Sequence, residues 1–183
     1  EIKPPFVIFY EGNIDLLNSE HHKLAIISSR KGQPSSLHYV LDETDTDTIF
    51  VLKGKGETDE YIIDNYTNKV ILVWATTLRQ CPQELKNKVI NNGGLVISRL
   101  PNNAIDTISP STFSENAVFL SSVCDKMLVA SVIKQSGSLI SITSAVSINK
   151  DVGVIPTNVY EDFENNALIY EGAIPVYNKV SYK

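Results

Sequence analysis

Residues 127–140 read Met-Leu-Val-Ala-Ser-Val-Ile-Lys-Gln-Ser-Gly-Ser-Leu-Ile, an apolar run that leads through a turn of small residues into a second apolar stretch. The run 127–130 has the length of a buried strand, and the Ser-Gly-Ser turn is typical of a helix start. Such a turn directs backbone N–H groups toward an anion, and the helix dipole adds about half a positive charge. The segment therefore predicts a strand, an anion-binding turn and a helix.

Five further apolar runs of strand length occur along the chain, and helix-compatible stretches separate them. The runs cover residues 24–28, 48–52, 70–75, 95–98 and 152–155, and the helical stretches cover 35–41, 59–65, 83–91, 114–121 and 139–148. Because the runs are continuously apolar, they indicate strands buried on both faces. The alternation of strand and helix predicts an α/β fold, a doubly wound, mostly parallel Rossmann-like sheet with helices on both faces.

The length of 183 residues and the hydrophobic content of 43% fit one domain with a full core. We expect a single domain over 1–183, with 1–22 as an N-terminal extension and 174–182, where apolar and polar residues alternate, as an edge strand. No apolar run approaches the roughly 18 residues that cross a bilayer, and the first residues lack the layout of a signal peptide. These features predict a cytoplasmic protein without a membrane partner.

The sequence lacks the common patterns of metal, cofactor and catalytic sites. Cys81 and Cys124 have no Cys-x-x-Cys or Cys/His spacing, so we expect reduced structural thiols and no metal. The acidic run 42–47 lacks the glycine and the closing glutamate of a calcium loop. No nucleophile elbow, P-loop, dinucleotide fingerprint or Ser/His/Asp set is present. We therefore predict no cofactor and no enzymatic activity.

Basic residues follow most of the predicted strands. Ligands of open parallel sheets bind outside the carboxyl ends of the strands. Seven of the 16 Lys and Arg residues fall at these exits: Arg30, Lys31, Lys53, Lys55, Arg79, Arg99 and Lys134. Although the net charge is −5, a basic rim with backbone donors suits phosphate groups. Exposed charges that bind no ligand are the alternative interpretation of this rim.

Four segments resemble, in order and approximate spacing, motifs of the DNA-processing protein A family (DprA, also called Smf). They are Ala-Ile-Ile-Ser-Ser-Arg at 25–30, Ser-Gly-Ser-Leu-Ile at 136–140, the strand at 151–156, and Asn-Ala-Leu-Ile-Tyr-Glu-Gly-Ala at 166–173. The family patterns are Ala-Ile-Val-Gly-Ser-Arg, Ser-Gly-Ser-Leu-Ile-Thr, a strand ending in Val-Pro-Gly, and Asn-x-Leu-Ile-x-x-Gly-Ala. The resemblance spans nearly the whole chain.

This resemblance implies a protein that binds single-stranded DNA and helps to load a RecA-type recombinase during DNA uptake in natural transformation. It also implies a homodimer, for which we expect the segment 123–172 to form the interface. The strand exits and the resemblance together predict these DNA- or phosphate-binding residues: Ser29, Arg30, Lys31, Lys53, Gly54, Lys55, Gly56, Thr76, Arg79, Asn116, Lys134, Ser136, Gly137 and Ser138.

The chain departs from the family patterns at four places. Ser28 replaces a glycine, Glu115-Asn116-Ala117 replaces Arg-Asn-Arg, residues 53–59 shorten Ser-Gly-x-Ala-x-Gly-x-Asp, and Pro156-Thr157 replaces Pro-Gly. The loss of two arginines and the gain of a glutamate weaken phosphate binding, and the lysines of the rim offer compensation. Two other functions therefore remain open, a nucleotide-sensing module and a structural or partner-binding paralogue that does not bind DNA.

Two aromatic residues flank Asn116. Proteins that bind single strands stack bases on aromatic rings, so Phe113 and Phe119 are candidates for stacking. Phe119 lies between Val118 and Leu120 in a predicted helix, which favours a position in the core.

Overall fold

The structure, a computed structural model, describes residues 7–29, 36–104, 109–134, 136–158 and 160–178. The strands within these ranges are β1 Phe9–Gly12, β2 Lys23–Ile27, β3 Ile49–Leu52, β4 Val70–Val73, β5 Leu95–Ser98, β6 Lys126–Val129, β7 Asp151–Val154 and β8 Ile174–Pro175. The α-helices are α1 Leu37–Asp42, α2 Glu57–Asn65, α3 Gln83–Asn91, α4 Pro110–Val123, α5 Ser138–Ser147 and α6 Asn165–Tyr170. Two short 3₁₀ helices cover Ile14–Leu17 and Leu78–Gln80.

The strands form one sheet in the order β1-β5-β4-β3-β2-β6-β7-β8. All neighbouring strands are parallel except β1 and β5, which are antiparallel. The chain winds outward from β2 to β5 and then returns to place β6 on the other side of β2. The strand order therefore reverses between β2 and β6, and this arrangement confirms the predicted Rossmann-like fold.

Two hydrophobic cores lie on opposite faces of the sheet, and β2 contributes to both. Ala25 and Ile27 pack in one core with Phe119 of α4 and Ile142 of α5. Ile26, which points the other way, packs in the second core, to which α1, α2 and α3 contribute. Because side chains alternate between faces along a strand, a strand with both faces covered is apolar where the two cores contact it, as residues 25–27 are. The predicted layers of helices on both faces are confirmed.

The two ends of the chain differ from the sequence-based expectation. Residues 1–22 were expected to form an extension, but β1 adds an antiparallel strand to the edge of the sheet beside β5. Its residues alternate between half-buried and exposed, so β1 lacks the apolar run that marks the inner strands. At the other end, β8 covers only the start of the predicted edge strand 174–182, and residues 179–182 lie outside the described ranges.

Both cysteines are buried free thiols. Burial raises the pKa of Cys81 and of Cys124 to about 11. Because the thiolate is the reactive form of cysteine, neither side chain is activated for chemistry. Among the described residues, no three His, Cys, Asp or Glu side chains are grouped so that they could hold a metal ion. None of the helices in the described ranges is both long and apolar enough to span a lipid bilayer.

Candidate nucleic-acid interface

The carboxyl ends of β2, β3 and β6 open into one pocket with a volume of about 440 Å³. The pocket lies where the strand order reverses, the usual place for ligands in doubly wound sheets. Seven predicted site residues line it: Ser29, Lys53, Lys55, Asn116, Ser136, Gly137 and Ser138. The other lining residues are Ser28, Ala75, Phe113, Ala117, Ile133 and Ser141. The fold thus brings residues from the exits of β2, β3, β4 and β6, together with residues of α4 and α5, to one place.

Serine side chains connect the strand ends at the floor of the pocket. Ser138, the first residue of α5, donates its hydroxyl hydrogen to the carbonyl oxygen of Ser28 at 2.9 Å. Ser29 donates its N–H to the carbonyl oxygen of Ser131 at 2.8 Å, and its Oγ accepts from the N–H of Ile133 at 3.0 Å. These bonds link the exits of β2 and β6 directly, so the floor is a hydrogen-bonded unit.

Lys53 follows β3 and reaches across the end of β2. Its Nζ donates to the carbonyl oxygen of Ser28 at 3.1 Å and to Oγ of Ser138 at 3.2 Å. The ammonium group therefore sits against the first residue of α5, where the positive end of the helix dipole also lies. The Lys53 ammonium and the positive end of the α5 dipole therefore lie side by side, and together they favour the binding of an anion at the mouth of the pocket.

Lys55 lies between two aromatic rings beside the pocket. Its Nζ is 5.0 Å from the centroid of the Trp74 ring and 5.1 Å from that of Phe113. Both distances are within the range of cation–π attraction. The turn before Lys55 depends on Gly54, because its φ is +71° and a Cβ there would lie 2.6 Å from Cδ1 of Leu72. Only glycine adopts this conformation without strain in so little space.

Asp59 in α2 holds the backbone of the lysine turn. Its carboxylate is fully buried, and Oδ2 accepts the N–H of Lys55 at 3.1 Å. Burial raises the pKa of Asp59 from 3.8 to about 6, although the charge of Lys53 and backbone N–H groups of the turn act in the opposite direction. The carboxylate thus holds the backbone of both pocket lysines, Lys53 and Lys55, through their N–H groups. In the sequence, its only signal was the final Asp of the family segment that residues 53–59 shorten.

We expect the burial of Asp59 to make stability depend on pH. Because its folded-state pKa lies above its unfolded value, the folded protein binds the proton more tightly, and stability falls as the pH rises from about 4 through 6. A change of the pKa from 3.8 to about 6 corresponds to a loss of roughly 3 kcal/mol in the free energy of unfolding. Urea denaturation at pH 4 to 8 should show this loss in the wild type but not in Asp59→Asn. Equal pH profiles for the two proteins would contradict the prediction.

Three buried residues of the pocket wall carry polar atoms without a hydrogen-bond partner within the described part of the chain. Asn116 donates its Nδ2 hydrogen to the carbonyl oxygen of Val73 at 3.1 Å, but its Oδ1 accepts no hydrogen bond. Oγ of Ser28 and Oγ of Ser141 are also unpaired. Buried polar atoms are nearly always paired in folded proteins. The wall therefore has a hydrogen-bonding capacity that the described protein groups leave unused.

The sequence pattern of a family described as DNA recombination-mediator protein A matches residues 2–181. The chain belongs to this family. The match covers nearly the whole chain and confirms the resemblance inferred from the four motifs. Because the family consists of recombination mediators, the prediction that the chain is not an enzyme is also confirmed.

Two solved structures share the fold. DNA processing protein A from Helicobacter pylori, which has a unique single-stranded DNA binding mode, has a TM-score of 0.82 at 21% identity, with 96% of this chain and 84% of that chain covered. DprA from Streptococcus pneumoniae has a TM-score of 0.82 at 24% identity, with 97% of this chain and 65% of that chain covered. The chain thus spans about two thirds of the S. pneumoniae protein. No curated protein matches the chain.

Besides Gly54 and Lys134, three predicted residues lie near the strand exits but do not line the pocket. Thr76 is buried, and its Oγ1 accepts the Nε1 hydrogen of Trp74 at 2.9 Å, so it supports that ring. Arg79 is exposed on the 3₁₀ helix after β4. Gly56, with a φ of +117°, is the N-cap of α2. A DNA-binding role for these residues stays a prediction.

The basic rim is smaller than the sequence indicates. Nη2 of Arg99 lies 2.8 Å from Oε2 of Glu115, so the glutamate that departs from the family motif offsets the charge of this arginine. Lys134 is exposed next to Ile133 of the pocket wall. Arg30 and Lys31 lie outside the described residues. Among the described residues, Lys53 and Lys55 are the cations of the pocket wall.

The sequence reasoning missed a buried asparagine that shapes the exits of β6 and β7. Asn165 donates two Nδ2 hydrogens, to the carbonyl oxygens of Ala130 at 2.9 Å and Ile155 at 2.8 Å. Its Oδ1 accepts the N–H of Val132 at 2.9 Å. The side chain thus fixes the backbone that leads to Ile133 in the pocket wall. The available signal was the family motif itself, which begins at the next residue.

Proposed function

We propose that the chain binds single-stranded DNA at the pocket and acts as a recombination mediator. The observation that carries this proposal is the convergence of Lys53, Lys55 and the start of α5 on one pocket at the reversal of the sheet. Membership of the recombination-mediator family supports it. The H. pylori protein, which shares the fold and binds single-stranded DNA, supports it as well.

The geometry suits one nucleotide at a time. A backbone phosphate lies against the two lysines, where the helix dipole adds to their attraction. The sugar and base contact Ile133, and the unpaired oxygens of the wall accept or donate hydrogen bonds. A pocket of about 440 Å³ has the size of a small-ligand site and cannot admit a duplex. We therefore expect the protein to prefer single strands.

The proposal extends to the finer points that the family resemblance implies. These are the loading of a RecA-type recombinase during natural transformation, a cytoplasmic location and a homodimer. Light scattering at micromolar concentration tests the dimer and should report about twice the chain mass of 20.3 kDa. A mass equal to one chain would contradict this part and leave DNA binding untouched.

The proposed binding is tested by fluorescence anisotropy of a labelled poly-dT oligonucleotide across a series of salt concentrations. We expect saturable binding whose logarithm falls with the logarithm of salt at a slope of roughly −1.4 or steeper, because the two pocket lysines neutralise two phosphates of a single strand. A duplex of the same length should bind more weakly. Equal affinity for duplex, or no binding at low salt, would overturn the proposal.

The unpaired buried atoms of Asn116, Ser28 and Ser141 favour a second candidate function. They fit the base of a free nucleotide as well as that of a strand, so a nucleotide-sensing module would use the same pocket. Melting temperatures measured with mononucleotides separate the two functions. A shift with mononucleotides together with no oligonucleotide binding indicates the sensor. Binding of neither ligand indicates a structural or partner-binding paralogue.

A further inference from the structure

We infer that Phe113 and Trp74 are positioning residues that hold the Lys55 ammonium at the phosphate site before DNA arrives. This inference rests on the proposed function and assigns the two rings a role in it. It differs from the stacking role that the sequence suggests for Phe113, because here the ring acts on the strand through a lysine.

The two rings come from different parts of the chain and lie on either side of the same atom, Nζ of Lys55. Trp74 directly follows β4 and is only 5% exposed, and its Nε1 is bound by Thr76. Phe113 lies near the start of α4, a helix that begins with Pro110 and a capping box at Ser109. Nζ of Lys55 is about equally far from both centroids, at 5.0 and 5.1 Å. Trp74 is held in place by burial and by its hydrogen bond, and the two rings together define a place for the ammonium.

The backbone of Lys55 is fixed as firmly as its ammonium. Its N–H is bound to the buried carboxylate of Asp59 at 3.1 Å. The preceding Gly54 has a positive φ and lies against Leu72. The side chain is therefore constrained at both ends. Few surface lysines are constrained in this way, because the flexible four-carbon side chain normally samples many rotamers.

A lysine that is ordered in advance binds phosphate at a lower entropic cost. Immobilising a flexible side chain on binding opposes association, and cation–π attraction supplies the order beforehand. A cation–π contact removes no charge from the lysine, so the ammonium attracts an anion at the pocket mouth. Removing a ring should therefore weaken DNA binding without removing a charge.

A double-mutant cycle with Lys55→Met and Phe113→Leu tests the inference. The affinity for labelled poly-dT should fall about fivefold in Phe113→Leu. In Lys55→Met the salt slope should become smaller by about 0.7. The loss caused by Phe113→Leu should disappear in the Lys55→Met background, because the ring then has no lysine to position. Phe113→Tyr, which keeps the ring, should bind like the wild type.

The cycle separates the inference from the proposed function. If Phe113→Leu costs the same affinity with and without Lys55, the ring contacts the strand directly and the inference is wrong, whereas DNA binding stands. If the wild type binds no DNA, the proposed function fails, and the positioning role fails with it. Melting temperatures of the variants show whether a loss of affinity comes from unfolding. If Phe113→Leu unfolds, the emission of Trp74 in Lys55→Met decides the inference.

A second measurement tests the contact without DNA. Trp74 is the only tryptophan of the chain, so its emission reports on the ammonium beside it. Lys55→Met should change the emission of Trp74, and Lys134→Met, a matched loss of charge at an exposed position, should leave it unchanged. Identical emission in the wild type and Lys55→Met would overturn the inference whatever the DNA data show.

Discussion

Replacement of Lys53 and Lys55 together by alanine should lower the proposed affinity for single-stranded DNA about a hundredfold at low salt. A hydrogen bond to a charged group contributes about 1.5 to 3 kcal/mol, and screening at this half-buried site leaves somewhat less for each lysine. The salt slope should become smaller by about 1.4, because two phosphates of a single strand are no longer neutralised. The fold should persist, since Ser138 still donates to the carbonyl oxygen of Ser28.

The control for this pair is Lys69→Ala with Lys88→Ala, which changes the net charge by the same amount. Lys69 directly precedes β4, and Lys88 lies in the last turn of α3, the helix that leads to β5. Both therefore lie near the amino ends of the strands, away from the pocket at the carboxyl ends. The control should lose less than threefold in anisotropy titrations, as expected for charges far from the site. Equal losses in the two double variants would mean that net charge, and not the pocket, governs binding.

Asn165→Ala should lower the free energy of unfolding by about 3 to 5 kcal/mol. The substitution leaves three buried backbone groups unpaired, namely the carbonyl oxygens of Ala130 and Ile155 and the N–H of Val132. Each unpaired buried group costs about 1 to 3 kcal/mol, and partial entry of water reduces the sum. The effect is large because one short side chain connects the ends of two adjacent parallel strands.

Urea denaturation of Asn165→Ala, Asn165→Asp and Asn166→Ala distinguishes this network from a general helix effect. Asn165→Asp keeps the acceptor for Val132 and loses both donors, so it should also destabilise the protein strongly. Asn166 is exposed and binds the backbone of Thr157, and its replacement should cost about 1 kcal/mol. Similar losses in the free energy of unfolding for Asn165→Ala and Asn166→Ala would show that the buried hydrogen bonds of Asn165 contribute no more to stability than the exposed ones of Asn166.

The inner sheet was predictable because burial on both faces leaves a plain signal. Strands such as β4 are apolar at all four positions, and turns between them contain Gly or Pro. β1 and α6 carry no such signal. β1 is a half-exposed edge strand, and α6 has six residues whose place depends on the buried Asn165. Tertiary contacts with distant residues define both elements, and a single-sequence pattern does not contain them.

The candidate site was predictable to the extent that topology alone assembles it. Parallel strands have their carboxyl ends on one edge, so Ser29, Lys53 and Ser138 had to approach each other. Side-chain pairing was not predictable. Arg99 pairs with Glu115 through the packing of α4, and Thr76 turns inward to Trp74. Both outcomes depend on helix position and rotamers, which the spacing of residues does not specify.

The strand order also determines when the sheet can be completed during synthesis on the ribosome. β2 lies in the middle of the sheet, yet its partner β6 follows it by about 100 residues in the chain. At a synthesis rate of about 5 to 20 residues per second, β6 leaves the ribosome on the order of 5 to 20 seconds after β2. During that interval the strands from β1 to β5 can form five strands of the eight-stranded sheet, with one edge of β2 unpaired and able to pair with a wrong strand. The pocket at the strand exits includes residues from both sides of β2, so it can form only after β6 has been synthesised.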